Sequence, residues 1–407
     1  MTPVRRNAFL LAAGLVCLSG MIQLAIALGT VTLVAVTGIR SILGLGPAVF
    51  LIAGALAVGP AGRLSDRVGR MPVIRFGFVL GIAGPAVTAL GCWSSSGELV
   101  FIGLGLCGAS QTIVLLSRAA AAEMFAPAMR ARGMSIVLFG AVSGAVFGPL
   151  IFGPLFANRP LTPSELAWPW LASSLFALGG LLISFGVRPD PKELSKAFST
   201  HAGEGDEPAA PLAEIIRRPG MLTALVAAVA SFSVMVGVMN LAGYVAVGHH
   251  HPHGSVFTVI SAHIVGMYGL VLIVGDLVER IGRRRSMVIG LLVMAASNGA
   301  LIWVSGIPGM SLSLFGLGLG WNLSFVAAST ELVSGARPSE RGRLIGFSDL
   351  MSSFAGAVLA LGGGVIYTAG GSTPLAVFAA VLAAAPAAAI VLLPSPLGGR
   401  SVRRFSV

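Results

Sequence analysis

Apolar residues in this chain come in long unbroken runs, with short polar breaks between them, rather than in alternation. A bilayer core of about 30 Å needs roughly 20 such residues in a helix. Runs of that length fall near 8–30, 40–60, 73–93, 98–121, 133–156 and 168–187. Six more follow near 220–247, 254–275, 286–305, 309–332, 344–368 and 373–394. Twelve membrane-spanning helices are predicted. Backbone in lipid must satisfy its own hydrogen bonds, which leaves helices or a closed barrel. Continuous runs exclude the barrel.

Composition agrees. Of 407 residues 56% are hydrophobic and 10% charged, with a mean hydropathy of +0.92. A soluble domain carries about 25% charged residues, so this chain cannot cover a water-facing surface. The net charge of +11 does not mark a nucleic-acid partner, because the basic residues sit singly or in short clusters between apolar runs. Cys17, Cys92 and Cys107 lie within or beside apolar runs and have no metal or redox spacing. They are read as small packing residues, and no cofactor is called for.

The basic residues also set an orientation. If the N-terminus is cytoplasmic, 24 of the 26 Lys and Arg residues lie on that side, with Arg40 and Arg159 outside. This is the positive-inside pattern, and it predicts a multi-pass protein of the inner (cytoplasmic) membrane with both termini cytoplasmic. Arg5, Arg6 and the Ala25-Ile26-Ala27 triplet imitate a signal peptide. Cleavage there would leave an odd number of spans, so the segment is read as the first span. Residues 188–219, with Lys192, Glu193, Glu204, Asp206 and Glu207, read as a cytoplasmic linker between halves 1–187 and 220–407.

Two loops echo each other across the chain. One reads Gly62-Arg63-Leu64-Ser65-Asp66-Arg67-Val68-Gly69-Arg70, and the other Gly275-Asp276-Leu277-Val278-Glu279-Arg280-Ile281-Gly282-Arg283. The offset, 275 minus 62, is 213 residues. The loops after spans four and ten echo as well, Pro127 to Arg132 against Pro338 to Arg343. Parallel six-helix repeats are a transporter plan. The G-x-L-x-D-R-x-G-R pattern resembles the signature loop of the major facilitator superfamily. With the weaker second copy, the resemblance extends over essentially the whole chain. It implies an all-α membrane fold of twelve transmembrane helices in two pseudo-symmetric six-helix bundles.

The fifth span, with Gly140, Gly144, Gly148 and Pro149 followed by Gly153 and Pro154, is similar to the glycine-proline motif of the superfamily's antiporters. It departs at Phe152, where the family has glycine. Small residues every four positions also serve ordinary close packing. The arginine that many drug antiporters place early in the fourth span is absent from residues 103–109, and the sugar-porter signatures around the linker are missing.

The resemblance implies a conformational switch at Gly62, Asp66, Arg67, Gly69 and Arg70. In it, Asp66 sits at the N-terminus of span eleven and Arg70 pairs with Glu123. Glu279, Arg280, Arg283 and Glu331 take the corresponding parts in the second half. Their plainer role is to fix topology as loop charges.

Polar groups at lipid depth are expensive and become functional candidates. Asp349 lies roughly 8 Å from the cytoplasmic end of its span, Asn322 roughly 15 Å and His263 roughly 18 Å. Asp349 and His263 are expected to carry protons, with Asn322 holding the geometry. Alternatively, Asp349 pairs with a loop arginine such as Arg130, and His263 bonds a backbone carbonyl. Superfamily cavities are lined by spans one, four, seven and ten, which implicates Gln23, Gln111, Asn240, Tyr244, Trp321 and Phe325, with packing an equal claim on each. This lining suits a hydrophobic or amphipathic solute better than a sugar or phosphate. His249, His250, His251 and His253 share one outside loop and can bind zinc or copper, but without a cysteine or acid beside them a solvated loop is preferred and no metal site is assigned.

The leading expectation is a monomeric secondary transporter that exports a hydrophobic or amphipathic small molecule in exchange for protons. The alternatives are a symporter or uniporter importing a small metabolite, and a non-transporting receptor or scaffold. No catalytic motif such as H-E-x-x-H appears, so an enzyme is not expected.

Overall fold

The computed structural model describes all residues except 1, 126–128, 130–132, 134–135, 138, 157–161, 196–209, 249–254, 305 and 393–407. The first six helices are α1 (Pro3–Thr37), α2 (Leu45–Val68), α3 (Arg70–Ser94), α4 (Gly97–Leu115, continued by Ser117–Glu123), α5 and α6 (Pro163–Ser184). The described part of α5 is irregular: a tight turn over Gly140–Ser143, one helical turn over Gly144–Phe147, a wide π-turn over Gly148–Phe152, and a last turn over Gly153–Phe156. The second six are α7 (Met221–Gly248), α8, α9 (Arg283–Ala300), α10 (Ile307–Gly335), α11 (Pro338–Gly370) and α12 (Ser372–Leu392). Helix α8 runs as Ser255–Ile264, a π-turn over Val265–Gly269, then Val271–Ile281, with a 58° bend. A π-turn with two glycines is a recognised cause of such a bend.

Among the described residues nine helices are long and apolar enough to cross a membrane, or ten with bent α8 as one span. Helix α9, which opens on Arg283, Arg284 and Arg285, and the partly described α5 complete the expected twelve. The helices overrun the expected spans, chiefly at the ends. Helix α1 starts at Pro3, where Thr2 accepts the Arg5 N–H and proline suits the first turn. It stops at Gly38, whose φ of 70° ends the helix.

Lipid tails are as apolar as leucine, so helix association depends on close packing rather than on expelling water. The two halves solve this alike. A Cβ on Gly84 of α3 would lie 2.9 Å from the Gly103 carbonyl oxygen of α4, and one on Gly290 of α9 would lie 2.6 Å from the Gly320 carbonyl oxygen of α10. The third and fourth helices of each half thus come into backbone contact at a glycine.

One end of the bundle carries Arg63, Arg67, Arg70, Arg280, Arg283 and Arg341 and is called here the basic end. The contacts that join the first six helices to the last six gather toward the other end. Phe152 of α5 is fully buried and stacks on Phe257 of α8 at 5.6 Å. Leu43, Leu241 and Leu375 form a small core there with Val34 and Tyr244. A Cβ on Gly44 would sit 2.0 Å from the Ala360 carbonyl oxygen of α11, so the chain at the start of α2 lies directly on α11. Phe152, the departure from the glycine-proline motif, is therefore a plug in this seam.

The stretch just before α7 is also anchored. Glu340, buried in the first turn of α11, accepts two bonds from Arg218 at 2.6 and 2.8 Å and one from the Arg337 N–H at 2.9 Å. The side-chain hydrogen bonding to Glu340, with the charges of Glu340 and Glu214, raises the Arg218 guanidinium above its ordinary range.

Candidate functional site

The signature loop forms a connected set of polar contacts at the basic end. Gly69 turns the chain with φ of 105° between α2 and α3. That turn brings Arg70 back toward its own loop and across to α4. Its guanidinium donates to both Glu123 oxygens at 2.7 and 2.8 Å, to Ser65 at 2.9 Å and to Asp66 at 2.6 Å. The bidentate fork is the strong form of this interaction. Asp66 is two-thirds exposed and turns to Arg70 rather than to the N-terminus of α11. Gly62 is half-buried with open space around its Cα, and Arg67 is exposed.

The corresponding loop of the second half is looser. Arg283 donates to Glu331 at 3.1 Å and stands 3.7 Å from Glu279, while Arg280 is exposed. Asp190, absent from the sequence candidates, supports only the first copy. Its carboxylate accepts the Arg70 and Met71 N–H groups at 3.1 and 2.8 Å, at the positive end of α3. Lys192 then reaches back to the Asp66 and Arg67 carbonyls at 2.6 and 3.3 Å.

The proposed proton ladder is not one cluster. His263 is fully buried, and its Nδ1 meets the Leu314 carbonyl of α10 at 2.8 Å, while Nε2 has no partner. Asn322 is buried with both amide atoms unpartnered. Asp349 lies on the other side of the interface, 4.0 Å from Arg118 of α4. Among the described residues none of the three bonds another. The cause is packing: α8 presses His263 onto α10, whereas α11 turns Asp349 toward the first six helices. Arg130, the suggested loop partner, lies outside the described residues, as does the histidine loop 249–253.

Arg118 counts in the sequence as a charge at a loop end. In the fold it is roughly 8 Å inside α4 and faces Asp349, with side-chain exposures of 39% and 43%. It also lies within electrostatic range of Tyr268.

The cavity candidates divide in the same way. Trp321 and Phe325 of α10 stack at 5.0 Å with 15° between planes. Tyr268 of α8 meets Trp321 edge-on at 6.0 Å, and Phe232 of α7 lies 6.2 Å from Phe325. These four rings, two of which pattern reasoning missed, form an aromatic shelf. Gln23 is buried in α1 with both amide atoms unpartnered, and Gln111 is half-buried. Tyr244 is not in an open cavity: it packs edge-on against Tyr367 at 5.8 Å in the closed end. Asn240 lies on α7, its side chain outside the description. In α5, a Cβ on Gly140 would lie 2.5 Å from the Ala12 carbonyl oxygen, so that glycine seats α5 on α1. The side chains at 144, 148 and 149 are outside the description. A separate cavity of about 40 Å³ lies among α7, α9, α10 and α12 beside the unpartnered amide of Asn298. It has room for a few waters.

Twelve helices in two six-helix bundles, with charged loops at one end, are what the signature loop implied. The family model described as Major Facilitator Superfamily matches residues 7–358 and 244–405. The chain belongs to the major facilitator superfamily. It is a multi-pass membrane transporter of that family rather than an enzyme. An uncharacterised MFS-type transporter of Bacillus subtilis, YdeG, is 30% identical over 335 residues, which cover 79% of this chain and 76% of that one. The riboflavin transporter RfnT of Brucella anthropi is 26% identical over 368 residues, covering 88% and 90%. Among solved structures, a partially occluded inward-open form of the xylose transporter XylE from E. coli superposes with a TM-score of 0.78. It covers 98% of this chain and 100% of that one at 14% identity, a likeness of fold.

Proposed function

We propose that this superfamily member is a proton-coupled exporter of a flat, amphipathic, aromatic small molecule, working by alternating access. The aromatic shelf of Phe232, Tyr268, Trp321 and Phe325 carries the reading. Its rings lie on α7, α8 and α10, Trp321 buried and the other three half-buried, and a flat apolar ring system gains most from such a surface. The riboflavin transporter among the relatives supports a cargo of that shape. The basic end is assigned to the cytoplasm from the arginine count, with both termini there, and the unit is a monomer in the inner membrane. Halves 1–187 and 220–407 rock about the seam at Gly44 and Ala360, and linker 188–219 joins them. The Arg70 and Arg283 clusters act as the switch, reforming contacts with the opposite half when the basic end closes. This accounts for Asp66 being free of α11 while the other end is shut.

His263 and Asp349 are proposed as separate proton stations, one buried in the second bundle and one at the interface. The test is riboflavin flux, followed by its fluorescence, in proteoliposomes with an imposed pH gradient. Flux should follow the gradient, and Trp321→Ala should weaken riboflavin binding about two- to ten-fold, the worth of an aromatic stack. Flux indifferent to the gradient, or unchanged in the His263→Ala, Asp349→Asn double variant, removes the coupling. Full activity in Asp66→Asn removes the switch.

A further inference from the structure

We infer that Arg118 reads an anionic group on the cargo, and that Asp349 is the internal carboxylate which the cargo displaces. The inference rests on the aromatic shelf being the cargo site. An arginine and an aspartate at this depth are costly unless water or a ligand reaches them, and both side chains are about two-fifths exposed. Their separation of 4.0 Å is too long for a hydrogen bond. Arg118 therefore offers a planar fork of donors to a carboxylate that has not taken it up. At Arg70, by contrast, a carboxylate accepts the fork at 2.7 and 2.8 Å. A looser pair in the same fold is a pair ready to exchange partners.

The surroundings say what would exchange in. Arg118 is in electrostatic range of Tyr268, which meets Trp321 edge-on, which stacks on Phe325. A flat ring lying on the shelf would carry a carboxylate on its edge toward Arg118. Because Arg118 is on α4, Asp349 on α11 and the shelf on α7, α8 and α10, such a cargo replaces the direct Arg118–Asp349 contact between the bundles with one made through the cargo itself. Cargo binding then frees Asp349 and makes the cargo the link between the bundles.

Equilibrium dialysis of purified full-length protein against radiolabelled 2-naphthoate and its neutral isostere 2-naphthamide tests this. Wild type should prefer naphthoate. Arg118→Gln should weaken naphthoate about ten-fold and leave naphthamide within about three-fold, with Arg118→Lys between, since lysine keeps the charge and loses the fork. Asp349→Asn should tighten naphthoate, because its competitor is gone. A merely structural ion pair predicts the opposite: both neutral variants would lose affinity together, and that result overturns the inference. Equal binding of the two probes by wild type overturns it and leaves the shelf standing. Binding of neither overturns the shelf and the inference with it. If Arg118→Gln loses naphthamide too, Arg118→Lys decides: naphthoate must fall more than naphthamide, or the inference is wrong.

Discussion

The two copies of the signature loop differ more in bonding than in sequence. Around Arg70, four residues close in: a forked Glu123, Ser65, Asp66, and Asp190 holding the helix start from the far side. Around Arg283, among the described residues, there is one hydrogen bond, at 3.1 Å, and one looser ion pair. The fork fixes direction as well as distance, and the carboxylate at a helix start adds a further anchor. The first copy is thus built as an anchor and the second as a contact that opens at less cost. In the switch proposed above, the second copy is then the contact that yields first, since only interactions that differ between states shift their balance.

That contrast can be broken most directly at the arginines. Arg70→Ala should destabilise the protein by about 2 kcal/mol, since several charge-assisted bonds go but the site is partly wet. Arg283→Ala should cost less than about 1 kcal/mol. Thermal melts in detergent check both, and equal losses would end the asymmetry. The glycines come next. Gly69 and Gly282 both have positive φ, 105° and 92°, which an L-residue enters at about 1–3 kcal/mol. A Cβ on Gly69 would also lie 3.0 Å from the Asp190 carboxylate, while one on Gly282 meets open space. Gly69→Ala should therefore melt lower than Gly282→Ala. The smallest effects sharpen the picture: Asp190→Asn should cost about 0.5–1 kcal/mol by weakening the charge at the start of α3. Glu279→Gln, at an exposed pair, should cost under about 0.5 kcal/mol.

Much of this was readable in the chain. Long apolar runs mark spans because lipid forbids unpaired backbone, and repeated Gly-x-x-x-Asp/Glu-Arg-x-Gly-Arg loops mark a duplicated plan. The pairs Arg70 with Glu123 and Arg283 with Glu331 follow from that plan, although they lie 53 and 48 residues apart. Asp190 was not readable, since nothing local to it speaks of a helix start 120 residues earlier. Arg118 was misjudged for a related reason: a residue near a span's end looks like a loop charge until the opposite bundle shows an aspartate to it. His263 and Asp349 looked like rungs of one ladder because depth can be counted along a helix, but the direction a side chain takes around it cannot be compared between helices.

The division has a physical basis. Whether a segment spans lipid, where its charges must stay in water and which loops repeat are decided residue by residue, through transfer energies that need no partner. Which helix faces which is decided only once twelve of them pack. That packing alone set Phe152 as a plug, turned Tyr244 into the closed seam, gathered four rings into a shelf and left Arg118 and Asp349 within reach of each other but unbonded.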